Sequence, residues 1–189
     1  HNFFSGYAEM LKHGLISNTA HWAELLNFNT SDIDYTALKQ LVGRSVQVKE
    51  DIVEQDPFEH GIRKALNLGH TVGHAFESMA LAENRPVLHG YAVAWGIVCE
   101  LYLSHLKVGF PKEKMRQTIQ FIKDNYGVFT FDCKKYEQLY AFMTHDKKNT
   151  SGTINFTLLK DIGDIRINQI ADKDTIFEML DFYRECMGS

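Results

Sequence analysis

Residues 90–106 read GYAVAWGIVCELYLSHL, and the first half of that run is apolar at nearly every position. An apolar surface that extends all round predicts a central helix buried on most of its sides. The flanking segments agree with that centre. Glu83-Asn84-Arg85-Pro86 reads as a loop, and before it Ile62 to Leu81 carries Leu66, Val72, Phe76 and Met79 at helical rather than alternating period. Further upstream, Tyr35 to Val53 is a long helical pattern opened by capping residues at Thr30-Ser31-Asp32 and stopped where Pro57 disfavours the α region at Asp56. Asn18 to Phe28 and Phe3 to Ile16 complete the N-terminal helices.

Downstream, Pro111 restarts an amphipathic helix to about Asn125, and Tyr136 to Met143 is a short one. Only Thr153 to Leu159 and Asp164 to Ile170 look like strands, joined at Lys160-Asp161-Ile162-Gly163 by a hairpin turn. Lys173 to Cys186 is a C-terminal amphipathic helix. The expected fold is mainly α, a multi-helix unit with one small β-hairpin, compact over residues 1–189 as a single domain.

Composition narrows the function. The chain has 189 residues, 44% hydrophobic and 23% charged, with a formal net charge of -4, so it carries no basic footprint for nucleic acid or anionic lipid. No apolar stretch reaches the roughly 18 residues of a membrane span, and no leader opens the chain, so the expected address is cytoplasmic. Cys99, Cys133 and Cys186 lack CxxC spacing and read as reduced packing thiols. The start at His1-Asn2 rather than Met reads as a piece of something longer.

The densest chemistry lies in residues 63–74, RKALNLGHTVGH. If helical, it sets Arg63, Asn67, His70 and His74 on one polar stripe. Gly69 and Gly73 each cost about 1 kcal/mol in a helix interior, so something must come close to the backbone there, either a ligand or a neighbouring helix. His70 and His74 have the spacing of a zinc pair, yet Thr71 stands where a metalloprotease has its Glu. His89, just before the apolar helix, is better explained as aimed into a cleft than as core filler. Glu9, in GYAEMLK at 6–12, is either a buried carboxylate partnered by a metal or Lys12, or half of an exposed Glu–Lys helix pair.

Taken together, SGYAEMLKHG at 5–14, KEDIVEQDPFEHGIRKALNLGHTVGHAFE at 49–77, LHGYAVAWG at 88–96 and DKKN at 146–149 resemble 3-dehydroquinate synthase, in that order. The resemblance covers that family's C-terminal helical domain; no Gly-rich strand–helix phosphate cradle for a dinucleotide is present. It implies a catalytic metal, Zn2+ or Co2+, held by Glu9, His70 and His89, with a coordination position left open. It implies proton-handling roles for Glu59 and His74, and substrate binding by Lys12, Lys49, Arg63, Asn67 and one of Lys147 and Lys148, between which the sequence does not choose. For Lys49, Lys147 and Lys148 the residues alone read as solvated charges. The remaining histidines, His13, His21, His60, His105 and His145, read as surface or packing groups.

The implied reaction converts a seven-carbon keto-acid phosphate, 3-deoxy-D-arabino-heptulosonate 7-phosphate, to 3-dehydroquinate and phosphate in aromatic amino acid biosynthesis. NAD+ is bound mainly by an N-terminal domain absent here, so the chain alone is expected to be inactive. The implied partner is a small sugar phosphate, with no nucleic acid or membrane, in a homodimer of the full-length enzyme. Alternatives are a sibling sugar-phosphate cyclase of secondary metabolism, a metal-dependent polyol dehydrogenase, or a non-catalytic helical metal-binding module.

Overall fold

The computed structural model describes residues 2–145 and 154–188. Eight α-helices in those residues are α1 (Asn2–Ser17), α2 (Thr19–Asn27), α3 (Tyr35–Gln55), α4 (His70–Ala82), α5 (His89–Val108), α6 (Lys112–Tyr126), α7 (Tyr136–Thr144) and α8 (Lys173–Met187). Strands β1 (Ile154–Asp161) and β2 (Asp164–Ala171) form an antiparallel hairpin. Short 3-10 turns occupy Ile62–Asn67 and Cys133–Lys135. The mainly helical fold with one hairpin is as the periodicity predicts.

The axis is α5. Val93, Ile97 and Leu101, at i, i+4 and i+8, are fully buried, and so are Ala92, Ala94, Val98 and Cys99 on the other sides. Each large side chain buried this way contributes about 1.5–3 kcal/mol. The helix packs against α1, α4, α6, α8 and β1, so the first, middle and last thirds of the chain all rest on it. Gly109, at φ 82°, ends it in the left-handed conformation that glycine adopts without steric cost. Although long and apolar, neither α5 nor any other described helix has the length and hydropathy to cross a membrane.

Caps fix the other boundaries. Asn18 accepts from the His21 N–H at the start of α2, and Asp172 from the Thr175 N–H at the start of α8. The cap of α3 is Asp34, accepting from Thr36 and Ala37, rather than the Thr30–Asp32 cluster expected. That helix runs to Gln55, and Asp56 then folds back to accept from the backbone N–H groups of His60, Gly61 and Arg63 at 3.0, 2.6 and 3.1 Å. Those hydrogen bonds, the one from Gly61 first, hold its carboxyl below the usual range. In the hairpin, β1 is buried along most of its length while β2 alternates between half-buried and exposed.

A second expectation fails, and this one matters to the site. Residues 62–81 do not form one helix. A 3-10 turn ends at Asn67, Gly69 takes φ 81°, and α4 starts at His70. The supposed stripe of Arg63, Asn67, His70 and His74 is therefore broken in two. The glycines answer to helix packing rather than to a ligand: a Cβ on Gly73 would sit 3.0 Å from the Ala92 carbonyl oxygen and 3.2 Å from Val93 Cα on α5.

Candidate metal centre

Three elements deliver the cluster. Glu9 comes from the second turn of α1, His70 is the first residue of α4, and His89 is the first residue of α5. One carboxylate oxygen and one ring nitrogen from each histidine lie within 4.8 Å of one another. His70 Nε2 is 3.6 Å and His89 Nε2 3.9 Å from Glu9 Oε1. That oxygen is buried and takes part in no hydrogen bond among the described residues. The other oxygen, Oε2, accepts from Lys12 Nζ at 2.6 Å.

The Glu9–Lys12 pair is not the exposed helix pair that i, i+3 spacing suggests, because Lys12 is only 4% exposed. Burial pushes the Glu9 carboxyl upward, but the Lys12 ammonium, through charge and hydrogen bond, and His70 and His13 more weakly, hold it below its ordinary value. Glu9 is thus kept as a carboxylate.

Both imidazoles are oriented from behind. His70 Nδ1 lies 3.1 Å from the Leu68 carbonyl oxygen and His89 Nδ1 lies 3.0 Å from Glu77 Oε1. Neither partner can donate, so a hydrogen bond at either contact needs the proton on Nδ1. A buried carboxylate on α5 fixes the His70 backbone: Glu100 accepts from the N–H groups of Gly69 at 2.9 Å and Val72 at 3.0 Å, on either side of His70. Periodicity does not reveal the Glu77 and Glu100 contacts, since each joins α5 to α4 or to the residue before it.

His74 lies one turn along α4, its ring centroid 5.5 Å from that of His70 and 5.9 Å from that of His89. With Glu77 and His89 it forms a second possible ligand group. Four of the expected residues line two cavities. Glu9 and Lys49 line a groove of about 850 Å³ between α1 and α3, together with His13 and Ser45. Glu59 and Asn67 line a separate cavity of about 430 Å³ with Lys64, Thr71, Asn155 and Asn168. Arg63 donates through Nη1 to the Pro57 carbonyl at 2.7 Å and lines neither. Lys147 and Lys148 lie outside the described residues.

Of the histidines read as packing groups, His13 is buried against Ser45 and His21 is buried beside Ser17. The three cysteines are free thiols, and burial holds Cys99 far up.

These observations define the class: a multi-helix domain built on a central buried helix, gathering two imidazoles and one carboxylate from three helices at the edge of a groove. The profile of the 3-dehydroquinate synthase C-terminal family matches residues 6–149. The chain belongs to the 3-dehydroquinate synthase family. It is 59% identical over 187 residues to 3-dehydroquinate synthase of Parabacteroides distasonis, covering 99% of this chain and 53% of the relative. The enzyme of that name from Leptospira interrogans is 41% identical over 170 residues, covering 86% and 46%. The chain thus spans about half the length of the curated relatives it matches. Among solved structures, 2-deoxy-scyllo-inosose synthase complexed with carbaglucose-6-phosphate, NAD+ and Co2+ shares the fold at a TM-score of 0.74 and 19% identity, over 96% of this chain and 51% of that one. So does 2-epi-5-epi-valiolone synthase from Streptomyces hygroscopicus with NAD+ and Zn2+ bound, at 0.71 and 18%, over 96% and 51%.

Proposed function

We propose that this chain is the metal- and substrate-binding half of a 3-dehydroquinate synthase, acting on 3-deoxy-D-arabino-heptulosonate 7-phosphate. The observation that carries the reading is Glu9 Oε1, buried, without a hydrogen bond among the described residues, and facing the Nε2 atoms of His70 and His89. Two imidazoles and one carboxylate fit a divalent cation, zinc or cobalt, and three protein ligands leave a position for substrate oxygen. When bound, the cation would supply Lewis acidity toward a substrate hydroxyl and NAD+ would supply hydride-transfer chemistry. The relatives at 59% and 41% identity support this substrate over those of the sibling cyclases, with which the shared fold comes at only 18–19% identity.

The chain's own residues divide the remaining work. Lys12 holds Glu9 ionised and offers an ammonium beside the cluster, and Lys49 offers another on the groove wall. With Arg63 they complement a substrate carrying both a carboxylate and a phosphate. Asn67 would hold a hydroxyl from the second cavity, and Glu59 in the same cavity would hold or accept a proton. His74, beside both histidine ligands, would move one. Lys147 or Lys148 would add a further cation. The same reading takes the cytoplasm as the compartment and a homodimer as the assembly of the whole enzyme.

The test joins this chain to the N-terminal half of the Parabacteroides relative and follows phosphate release with NAD+ and zinc. Release is expected from the fusion, not from the chain alone and not from the fusion carrying His89→Ala. Release that survives His89→Ala would overturn the assignment.

A further inference from the structure

Glu77, the last residue of the 49–77 segment, has no part in the proposed function. Glu77 lies on α4 one turn past His74, and its Oε1 sits 3.0 Å from His89 Nδ1, across the loop that joins α4 to α5. The geometry points to Glu77 as the positioning residue of the metal centre: it holds the His89 ring with the proton on Nδ1 and Nε2 aimed at Glu9. The carboxylate can only accept, so the contact itself dictates the tautomer.

That constraint is needed at His89 more than at His70. His89 is the more exposed ligand, its side chain 47% accessible against 13% for His70, so packing does little to fix its rotamer. His70 has a backbone carbonyl behind it, that of Leu68 two residues away, whereas no backbone acceptor contacts His89 Nδ1 among the described residues. A free imidazole in water carries its proton mostly on Nε2, the atom that must be bare here. Without Glu77 the ring would turn and its tautomer would invert. Outer carboxylates of this kind typically change metal affinity by about 10–100-fold.

Two measurements test this, and only the second rests on the proposed metal site. In metal-free protein, ¹⁵N-edited NMR of the imidazoles should show His89 as the Nδ1–H tautomer, shifting toward Nε2–H in Glu77→Ala while the other rings stay unchanged. Zinc affinity by competition with a chromophoric chelator should fall roughly 10–100-fold in Glu77→Ala and recover most of its strength in Glu77→Gln, whose amide oxygen still accepts from Nδ1–H. Glu77 is half-exposed on its helix, and circular dichroism at matched temperature checks that both variants stay folded.

An Nε2–H tautomer in the parent protein, or unchanged affinity in Glu77→Ala, overturns the inference. Equal loss in Glu77→Gln and Glu77→Ala, with affinity intact in Glu9→Ala, would make Glu77 a ligand of the alternative His74–Glu77–His89 group and overturn it as well. If only the metal reading is wrong, zinc binding fails in the parent while the tautomer result stands.

Discussion

His13 sits one residue past Lys12, only 7% exposed, with Nδ1 hydrogen-bonded to the Ser45 hydroxyl. Burial first, and the Lys12 ammonium second, push its pKa down from 6.5 to about 4. A histidine whose folded pKa lies below its unfolded one contributes stability that is complete above pH 6.5 and is lost as the pH falls toward 4, because the unfolded chain binds the extra proton. The shift corresponds to about 3 kcal/mol. Urea unfolding of the metal-free chain should therefore lose that much more between pH 7.5 and 4.5 in the parent than in His13→Gln, and equal losses would refute a buried neutral ring. This residue was legible in sequence only as a packing histidine, since the Ser45 hydroxyl that partners it lies 32 positions away. The local i, i+4 spacing of His70 and His74 pointed to the wrong pair for the cluster around Glu9. The set Glu9, His70 and His89 came from motif resemblance, because no periodicity links α1 to the starts of α4 and α5.

Among the elements, most helices were readable because their apolar positions repeat at 3.6 residues and their caps are local. The 62–81 segment was not, because its break is made by α5. Gly69 closes the 3-10 turn in a left-handed conformation, and the Glu100 carboxylate then ties down the Gly69 and Val72 N–H groups as an N-terminal cap supplied from 28–31 residues downstream. A glutamate in an otherwise apolar run gives no hint of that partner. Truncation in Glu100→Ala strands two buried N–H donors at about 1–3 kcal/mol each, so the urea midpoint should fall by the equivalent of about 2–6 kcal/mol in total. Zinc affinity should fall with it in the fraction that remains folded, since His70 lies between the two capped amides. A stability change within about 0.5 kcal/mol, the range of ordinary surface substitutions, would show that the cap is unimportant.

Across the whole molecule, the three clustered side chains are separated by 61 and 19 positions along the chain, yet each sits on a helix that packs on or forms the central axis: α1 and α4 against α5, and α5 itself. A cation held by all three ties those helices together in the folded state and finds no such arrangement in the unfolded one. Its binding energy therefore appears as folding stability. At a free zinc concentration 100-fold above its dissociation constant the gain is about 2.7 kcal/mol, and for a chain of this size each kcal/mol raises Tm by roughly 2–4 °C. Scanning calorimetry should thus show a rise of about 5–11 °C with zinc, reversed by chelation. The rise should be absent in Glu9→Ala, whose helix otherwise buries Tyr7, Ala8 and Leu11 unchanged. An equal rise in Glu9→Ala would mean that zinc binds elsewhere, on His74, Glu77 and His89 or on surface histidines, and that α1 does not contribute to the centre.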